Sequence, residues 1–336
     1  MRSIKGNDDR GRWLSAISVA LLLVIVTGRY LVLSWPIPAI LDDHIVIPEG
    51  ASAYQVARAL HERGYIPNEK LFVNALRLKF KARSLKPGLF RLVNVRMIGD
   101  LVDQLIDPQR NAVWVTIPEG KTRREVARFF GAKYPIDTAR FLALTEDKIF
   151  ISKLGLDAKD LEGYLFPETY YLPNGTTERE IITRMVAQTR EALSVAVIRR
   201  GAELGFDEGA ILTMASIVEG ETRIDSERTI VSAVYHNRLK KGMRLQADPT
   251  VQFSLPEGPR RLLYRDYDVR SEYNTYLHGG LPPGPVNNPG RASIEAAVSP
   301  ADVDYLYFVA SGDGGHIFTR SLGEHNGTID RLRQGD

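Results

Sequence analysis

Glu219 closes an apolar run, residues 211–218, that is broken only by Thr213 and Ser216. Helical spacing sets Leu212, Ser216 and Glu219 on one face and turns Glu221 about 200° away. A carboxyl held against apolar neighbours is poorly solvated. Desolvation favours its neutral form, the form a general acid needs. The same pattern also fits a carboxylate that is simply the first solvated residue after a core helix. Downstream, Gln246, Asp248, Thr250 and Gln252 make a polar cluster suited to hydrogen-bonding sugar hydroxyls or orienting an acid. Asp248 before Pro249 reads equally well as an N-cap. Tyr273-Asn274-Thr275-Tyr276 and residues 280–285 add aromatics, an amide and rigid turns, which wall carbohydrate clefts and also build ordinary loops.

Other chemistries find less support. The histidines are His44, His61, His236, His278, His316 and His325, with no i, i+4 pair and no HExxH pattern, so no metal site is expected. Ser216 lacks a Gly-x-Ser-x-Gly elbow, and no glycine-rich phosphate loop is present, so no cofactor is expected either.

The elements that must position these residues follow from periodicity. Helices are expected near residues 139–144, 178–193 and 206–218, and another from Ser226 through Leu239 to the basic stop Lys240-Lys241-Gly242. Two stretches resemble each other at an offset of 70 residues. Ile47-Pro48-Glu49-Gly50 precedes Val56-Ala57-Arg58, and Ile117-Pro118-Glu119-Gly120 precedes Val126-Ala127-Arg128. Each reads as strand, turn, helix. The first copy continues into a helix near residues 70–78 and a strand at 88–92, with a boundary at Asp107-Pro108-Gln109-Arg110-Asn111. Residues 249–300 are rich in Pro, Gly, Asn and Tyr, as loops lining a site would be. A closing strand, 305–309, pairs with 316–318 through a glycine turn.

The chain has 336 residues, 44% hydrophobic and 25% charged, which is a globular composition with room for two or three domains. A formal charge of +3 without an arginine-rich tract argues against nucleic acid as a partner. The absence of cysteine excludes disulfides and thiolate chemistry. Residues 13–28 carry no charge, and only Arg29 interrupts the apolar pattern as far as Trp35. That span suffices to cross a hydrocarbon core of roughly 30 Å. Arg2, Lys5, Arg10 and Arg12 precede it, which predicts a cytoplasmic tail at 1–12, a transmembrane helix at 13–35 and an extracytoplasmic body. A cleaved signal peptide is the alternative, though no small-x-small site follows. Residues 36–41 read as a linker.

The blocks Ala215-Ser216-Ile217-Val218-Glu219-Gly220-Glu221-Thr222, Asn237-Arg238-Leu239, residues 242–250, Tyr273-Asn274-Thr275-Tyr276, residues 280–285 and Tyr305-Leu306-Tyr307-Phe308-Val309 closely resemble the YceG-like, endolytic murein transglycosylase family. Leu161-Glu162-Gly163-Tyr164 to Tyr170 looks like a further block, and Gly314-Gly315-His316 to His325-Asn326 like the last. The resemblance runs from about residue 45 to the end. It implies an α+β protein of the inner membrane, single-pass, with a LysM-like subdomain (42–108) and a catalytic domain (109–336). It implies non-hydrolytic cleavage of the bond between N-acetylmuramic acid and N-acetylglucosamine in nascent peptidoglycan strands, leaving a 1,6-anhydro end. Glu219 falls on the family's catalytic glutamate. Gly220 departs from the lysine that often follows it. Glu162, Gln246, Asp248, Thr250, Tyr273 and Asn274 are candidate substrate-binding residues, and peptidoglycan synthases or penicillin-binding proteins are implied neighbours.

Hydrolytic glycosidases use two carboxyls, whereas a lytic enzyme can use one as acid and then as base toward the muramyl C6 hydroxyl. Gln246 or Asn274 could supply dipoles to the oxocarbenium-like centre. Two other readings remain. One is a hydrolytic muramidase with Asp248 or Glu221 as the second carboxylate. The other is a non-catalytic wall-binding scaffold that holds glycan through residues 42–108.

Overall fold

The apolar N-terminal run forms one continuous helix, α1 (Gly6–Leu33), in a computed structural model that describes residues 6–48, 50–79, 85–107, 112–222, 224–256 and 260–334. Its stretch Trp13–Leu33 is long and apolar enough to cross a membrane, and Trp13, Tyr30 and Trp35 are exposed. Strand β1 (Pro36–Ile47) begins almost at once, so residues 36–41 are not a linker. Pro36 pairs with Met97 and Ile40 with Val95, because Ile37 and Ile40 bury their side chains only if the strand starts here. Proline is tolerated at its first position, where its missing N–H costs no ladder bond.

The chain divides into two compact units. The first runs up to Val113 and includes Tyr171–Thr177. After β1 come α2 (Ala53–Glu62), α3 (Glu69–Leu78), β2 (Gly88–Met97) and α4 (Ile98–Ile106). Strands β1 and β2 are antiparallel, with Ile45 opposite Phe90. Ser52 and Gln55 close a capping box at the start of α2, and Asn68 caps α3. Ile45, Leu60, Phe72, Phe90 and Leu92 are completely buried in one core, each contributing about 1.5–3 kcal/mol. Helix α4 was not evident from the sequence; it buries Leu101, Val102 and Leu105 against that core. Glu49 and the expected boundary residues 108–111 lie outside the described residues.

The second unit comprises Trp114–Tyr170 and the chain from Glu178 onward. Strand β3 (Val113–Thr116) pairs with β4 (Thr169–Leu172), with α5 (Arg123–Lys133), α6 (Thr138–Glu146) and α7 (Lys148–Lys153) between them. Helices α8 (Glu178–Ala192) and α9 (Val195–Glu203) lead to α10 (Glu208–Glu221). Asp207 caps α10, which is buried from Ile211 to Val218 as its all-round apolar pattern requires. Helix α11 (Asp225–Lys240) follows, then α12 (Asp248–Ser254) and α13 (Arg291–Val298). The hairpin β5 (Tyr307–Ala310) and β6 (His316–Thr319) precedes α14 (Leu322–Gln334).

Polar groups on α10 and α11 fasten the loops. Ser216 accepts the Val286 N–H and its carbonyl accepts the Asn287 amide. Asn237 donates to the Val303 and Tyr305 carbonyls, and Arg238 to those of Leu245 and Leu306. The Pro-rich region is thus held as ordered loop by helix side chains, with α12 and α13 as its only helical interruptions of α type among the described residues.

Candidate active site

A cavity of about 860 Å³ opens where the end of α10 meets the turn before α5, the start of α12 and the β5–β6 hairpin. Glu219 stands in its wall with 7% of its side chain exposed. One carboxylate oxygen lies 3.2 Å from the Arg228 guanidinium, and the other accepts the Gly290 N–H at 3.0 Å. The low exposure fits its place at the end of a buried helix, while its partners, a guanidinium and a backbone N–H, are polar ones that the helical pattern did not show. Arg228, itself 7% exposed, also donates to Asp225 at 3.0 Å and to Ser293.

Glu119 comes to the same wall from the second Pro-Glu-Gly turn. The backbone there is stitched to the loop before α13: the Gly120 N–H donates to Asn288 and the Asn288 N–H to Lys121. Thr122 and Glu125 then start α5 with a capping box. The Glu119 carboxyl is 3.8 Å from Arg228, which therefore faces two carboxyls at once. Burial, and after it the charge of Glu219, pushes the Glu119 carboxyl above its usual range, with Arg228 opposing. A Cβ on Gly290 would meet the Glu119 carboxyl, which would have to move aside to admit it. At Gly220 a Cβ would run into the Pro249 ring, so a residue without a side chain lets α12 pack against the end of α10.

A second cavity of about 450 Å³ adjoins the first, with Glu221, Ala310 and His316 bordering both. Gln246 and Asp248 line it. Gln246 holds a left-handed backbone (φ 49°), a strained state for a residue with a side chain. Asp248 does not cap α12; Ala247 occupies that position, and the Asp248 carboxylate accepts the Tyr276 hydroxyl at 2.7 Å and that of Tyr267 at 3.4 Å. Glu221 accepts the Tyr235 hydroxyl at 2.6 Å, and burial followed by the Asp248 charge pushes its carboxyl up to about 7.

The remaining candidates sit elsewhere. Thr250 and Asn274 are wholly buried. Thr250 bonds Ala247 and Thr275; Asn274 donates to the Tyr267 and Val269 carbonyls. Both hold the loops rather than face the cavity. Glu162 is buried beneath α5, where it accepts the Arg123 N–H and the Asn288 amide, and burial pushes its carboxyl up to about 8. Tyr273 lines a third cavity of about 300 Å³ and packs on Phe253, which borders the first. Sequence reasoning missed Glu119, Arg228 and the pair Glu227–His316, whose 2.7 Å contact pins the hairpin. The repeated Pro-Glu-Gly was the available signal for Glu119.

A family model described as the YceG-like family matches residues 45–331. An endolytic murein transglycosylase of Bacillus subtilis is 33% identical over 302 residues, covering 84% of this chain and 82% of its own length. One from Streptococcus pneumoniae is 30% identical over 305 residues, covering 81% of this chain and 55% of that protein. A crystal structure of a YceG-like protein from Listeria monocytogenes shares the fold with a TM-score of 0.59 at 31% identity, over 85% of this chain and 98% of that one.

Proposed function

Because the chain belongs to the YceG-like family of endolytic murein transglycosylases, we propose that it cleaves peptidoglycan glycan strands internally at the bond between N-acetylmuramic acid and N-acetylglucosamine, with Glu219 at the reacting groups. The observation that carries this reading is the placement of Glu219: a nearly buried carboxylate, oriented by Arg228 and the Gly290 N–H, in the wall of the 860 Å³ cavity. As general acid it protonates the leaving oxygen; as carboxylate it then takes the proton of the muramyl C6 hydroxyl, which closes on the anomeric carbon and leaves a 1,6-anhydro end.

Gln246, Asp248 and Tyr273 are the candidates best placed to meet sugar, while Thr250, Asn274 and Glu162 hold the walls. Residues 42–108 are proposed as a LysM-like unit that holds the strand; their two helices between antiparallel strands suit that role. Helix α1 is proposed as a single-pass anchor in the cytoplasmic membrane, with the N-terminus cytoplasmic and the remainder outside. Cutting strands as they emerge would end their elongation and would place the enzyme beside peptidoglycan synthases.

Mass spectrometry of purified peptidoglycan digested with the full-length protein tests the reaction. Anhydro-muramyl ends are expected from the wild type and none from Glu219→Gln; reducing muramyl ends would replace this reading with hydrolysis, and no products from either would favour the scaffold. Equal release by both proteins would remove Glu219 from the chemistry.

A further inference from the structure

A strand cut internally has sugar rings on both sides of the broken bond, so its enzyme needs more wall than the rings meeting the acid occupy. The second cavity supplies that length. Its volume of about 450 Å³ begins where the first cavity ends, and Glu221, Ala310 and His316 border both. We propose that this second cavity is a further saccharide-binding site, which grips one N-acetylated sugar ring of the strand beyond the rings at Glu219. The inference rests on the reaction proposed above.

Three features of its wall point to a ligand. The first is Gln246, which lines the cavity with its backbone in the left-handed region at φ 49°. That state is unfavourable for a residue with a Cβ and persists only where the surroundings enforce it. Here they do. The Gln246 N–H donates to the Thr275 carbonyl at 3.2 Å, the Ala247 N–H donates to the Thr275 hydroxyl at 2.9 Å, and the hydroxyls of Thr250 and Thr275 bond each other at 2.9 Å. Glycine would adopt this backbone freely, so what the strain secures is an amide side chain on the cavity wall.

The second feature is His325. Its ring stacks on Tyr307 with centroids 5.3 Å apart, and its Nδ1 is buried with no hydrogen-bond partner among the described residues. Buried polar atoms are normally satisfied, and this one belongs to a residue on the border of the cavity. The third is Asp248. The hydroxyls of Tyr276 and Tyr267, at 2.7 and 3.4 Å, fix the orientation of its carboxyl, and each oxygen retains a lone pair for another donor. Tyr276, Tyr307 and Phe308 set aromatic surface between these polar groups. A few oriented polar groups in an aromatic wall form a ligand pocket. Sugar hydroxyls and an acetamido group both give and take hydrogen bonds, which matches an amide, a carboxyl and an imidazole.

The test uses full-length protein in detergent and peptide-free glycan oligomers of defined length. It compares kcat/KM for strands long enough to fill both cavities with that for strands filling only the first. Wild type is expected to favour the long strands. Gln246→Gly, which suits the left-handed backbone, and His325→Phe, which keeps the stack on Tyr307, should each shrink that preference by about tenfold, the worth of one hydrogen bond, chiefly through KM. Calorimetry on Glu219→Gln reads binding without turnover: adding Gln246→Gly should weaken long oligomers by about tenfold and short ones less. A preference for length that both variants leave at its wild-type value overturns the assignment. So does a preference that arises only when stem peptides are present, which would give the cavity to the peptide. Failure of wild type to cut any strand removes the underlying reaction instead, and the calorimetry then decides the binding site by itself.

Discussion

Arg228 answers Glu219 across 3.2 Å with both side chains 7% exposed, so a buried cation and a buried anion depend on each other. Taking away one partner strands the other in a poor solvent. Arg228→Met is expected to cost about 3–5 kcal/mol of folding stability and to abolish strand cleavage, with Arg228→Lys retaining part of the stability. Urea denaturation followed by fluorescence measures the first effect and product release the second. An Arg228→Met protein as stable as wild type would show that the pair does not hold the site together.

Gly290→Ala separates positioning from folding. The added methyl meets the Glu119 carboxyl, which is half-exposed and free to swing aside, so the stability cost should stay within roughly 1–3 kcal/mol. Activity should fall much further than stability, because the Gly290 N–H orients Glu219. Comparable losses in both would mean that this contact serves the fold alone.

The buried carboxyls give the fold a pH dependence of known sign. Glu221 is raised to about 7 and Glu162 to about 8, so in the folded state both keep protons that the unfolded chain has already released. Their stabilising contribution is complete below the unfolded value of about 4.5 and is lost as pH rises through the folded values. Thermal melting should therefore fall between about pH 4.5 and about pH 8. Glu221→Gln should flatten the fall between about pH 4.5 and about pH 7, and superimposable curves for the two proteins would refute it.

The hairpin turn over the cavity is pinned by Glu227, which accepts both the backbone N–H of His316 at 2.9 Å and its ring nitrogen at 2.7 Å. Glu227→Ala should speed hydrogen exchange at residues 311–316 and raise KM more than it lowers kcat, because Gly312, Gly314 and Gly315 line the cavity. Unchanged exchange there would show that the strands alone fix the turn.

Local signals in the sequence matched the structure wherever a residue's neighbours in the chain were also its neighbours in space. The buried face of α10, the glycine stop after α11 and the two strand-turn-helix units all rest on period and capping, which act over a few residues. Asp248 misled because an Asp-Pro pair fits a cap, while its real partners, Tyr267 and Tyr276, are 19 and 28 residues away. Glu119 is 100 residues before Glu219 in the sequence, and only the backbone stitching of Gly120 and Lys121 to Asn288 brings it near. No periodicity reports such a contact. Residues 36–41 were missed for a milder reason: two prolines and few polar residues look like a spacer until a partner strand is present to pair with them.

Between the last turn of α1 and the first residue of β1 stand only Ser34 and Trp35, and both are tied down. Their N–H groups reach back to Tyr30 and Val32, the Trp35 carbonyl accepts the Ile98 N–H, and Val32 and Leu33 pack on the core of the first unit. There is no slack in this joint. Were α1 to anchor the chain in a membrane as proposed, this junction would hold the first unit at a fixed height close to the bilayer rather than on a loose tether. A flexible insert at this joint would turn that fixed gauge into a leash.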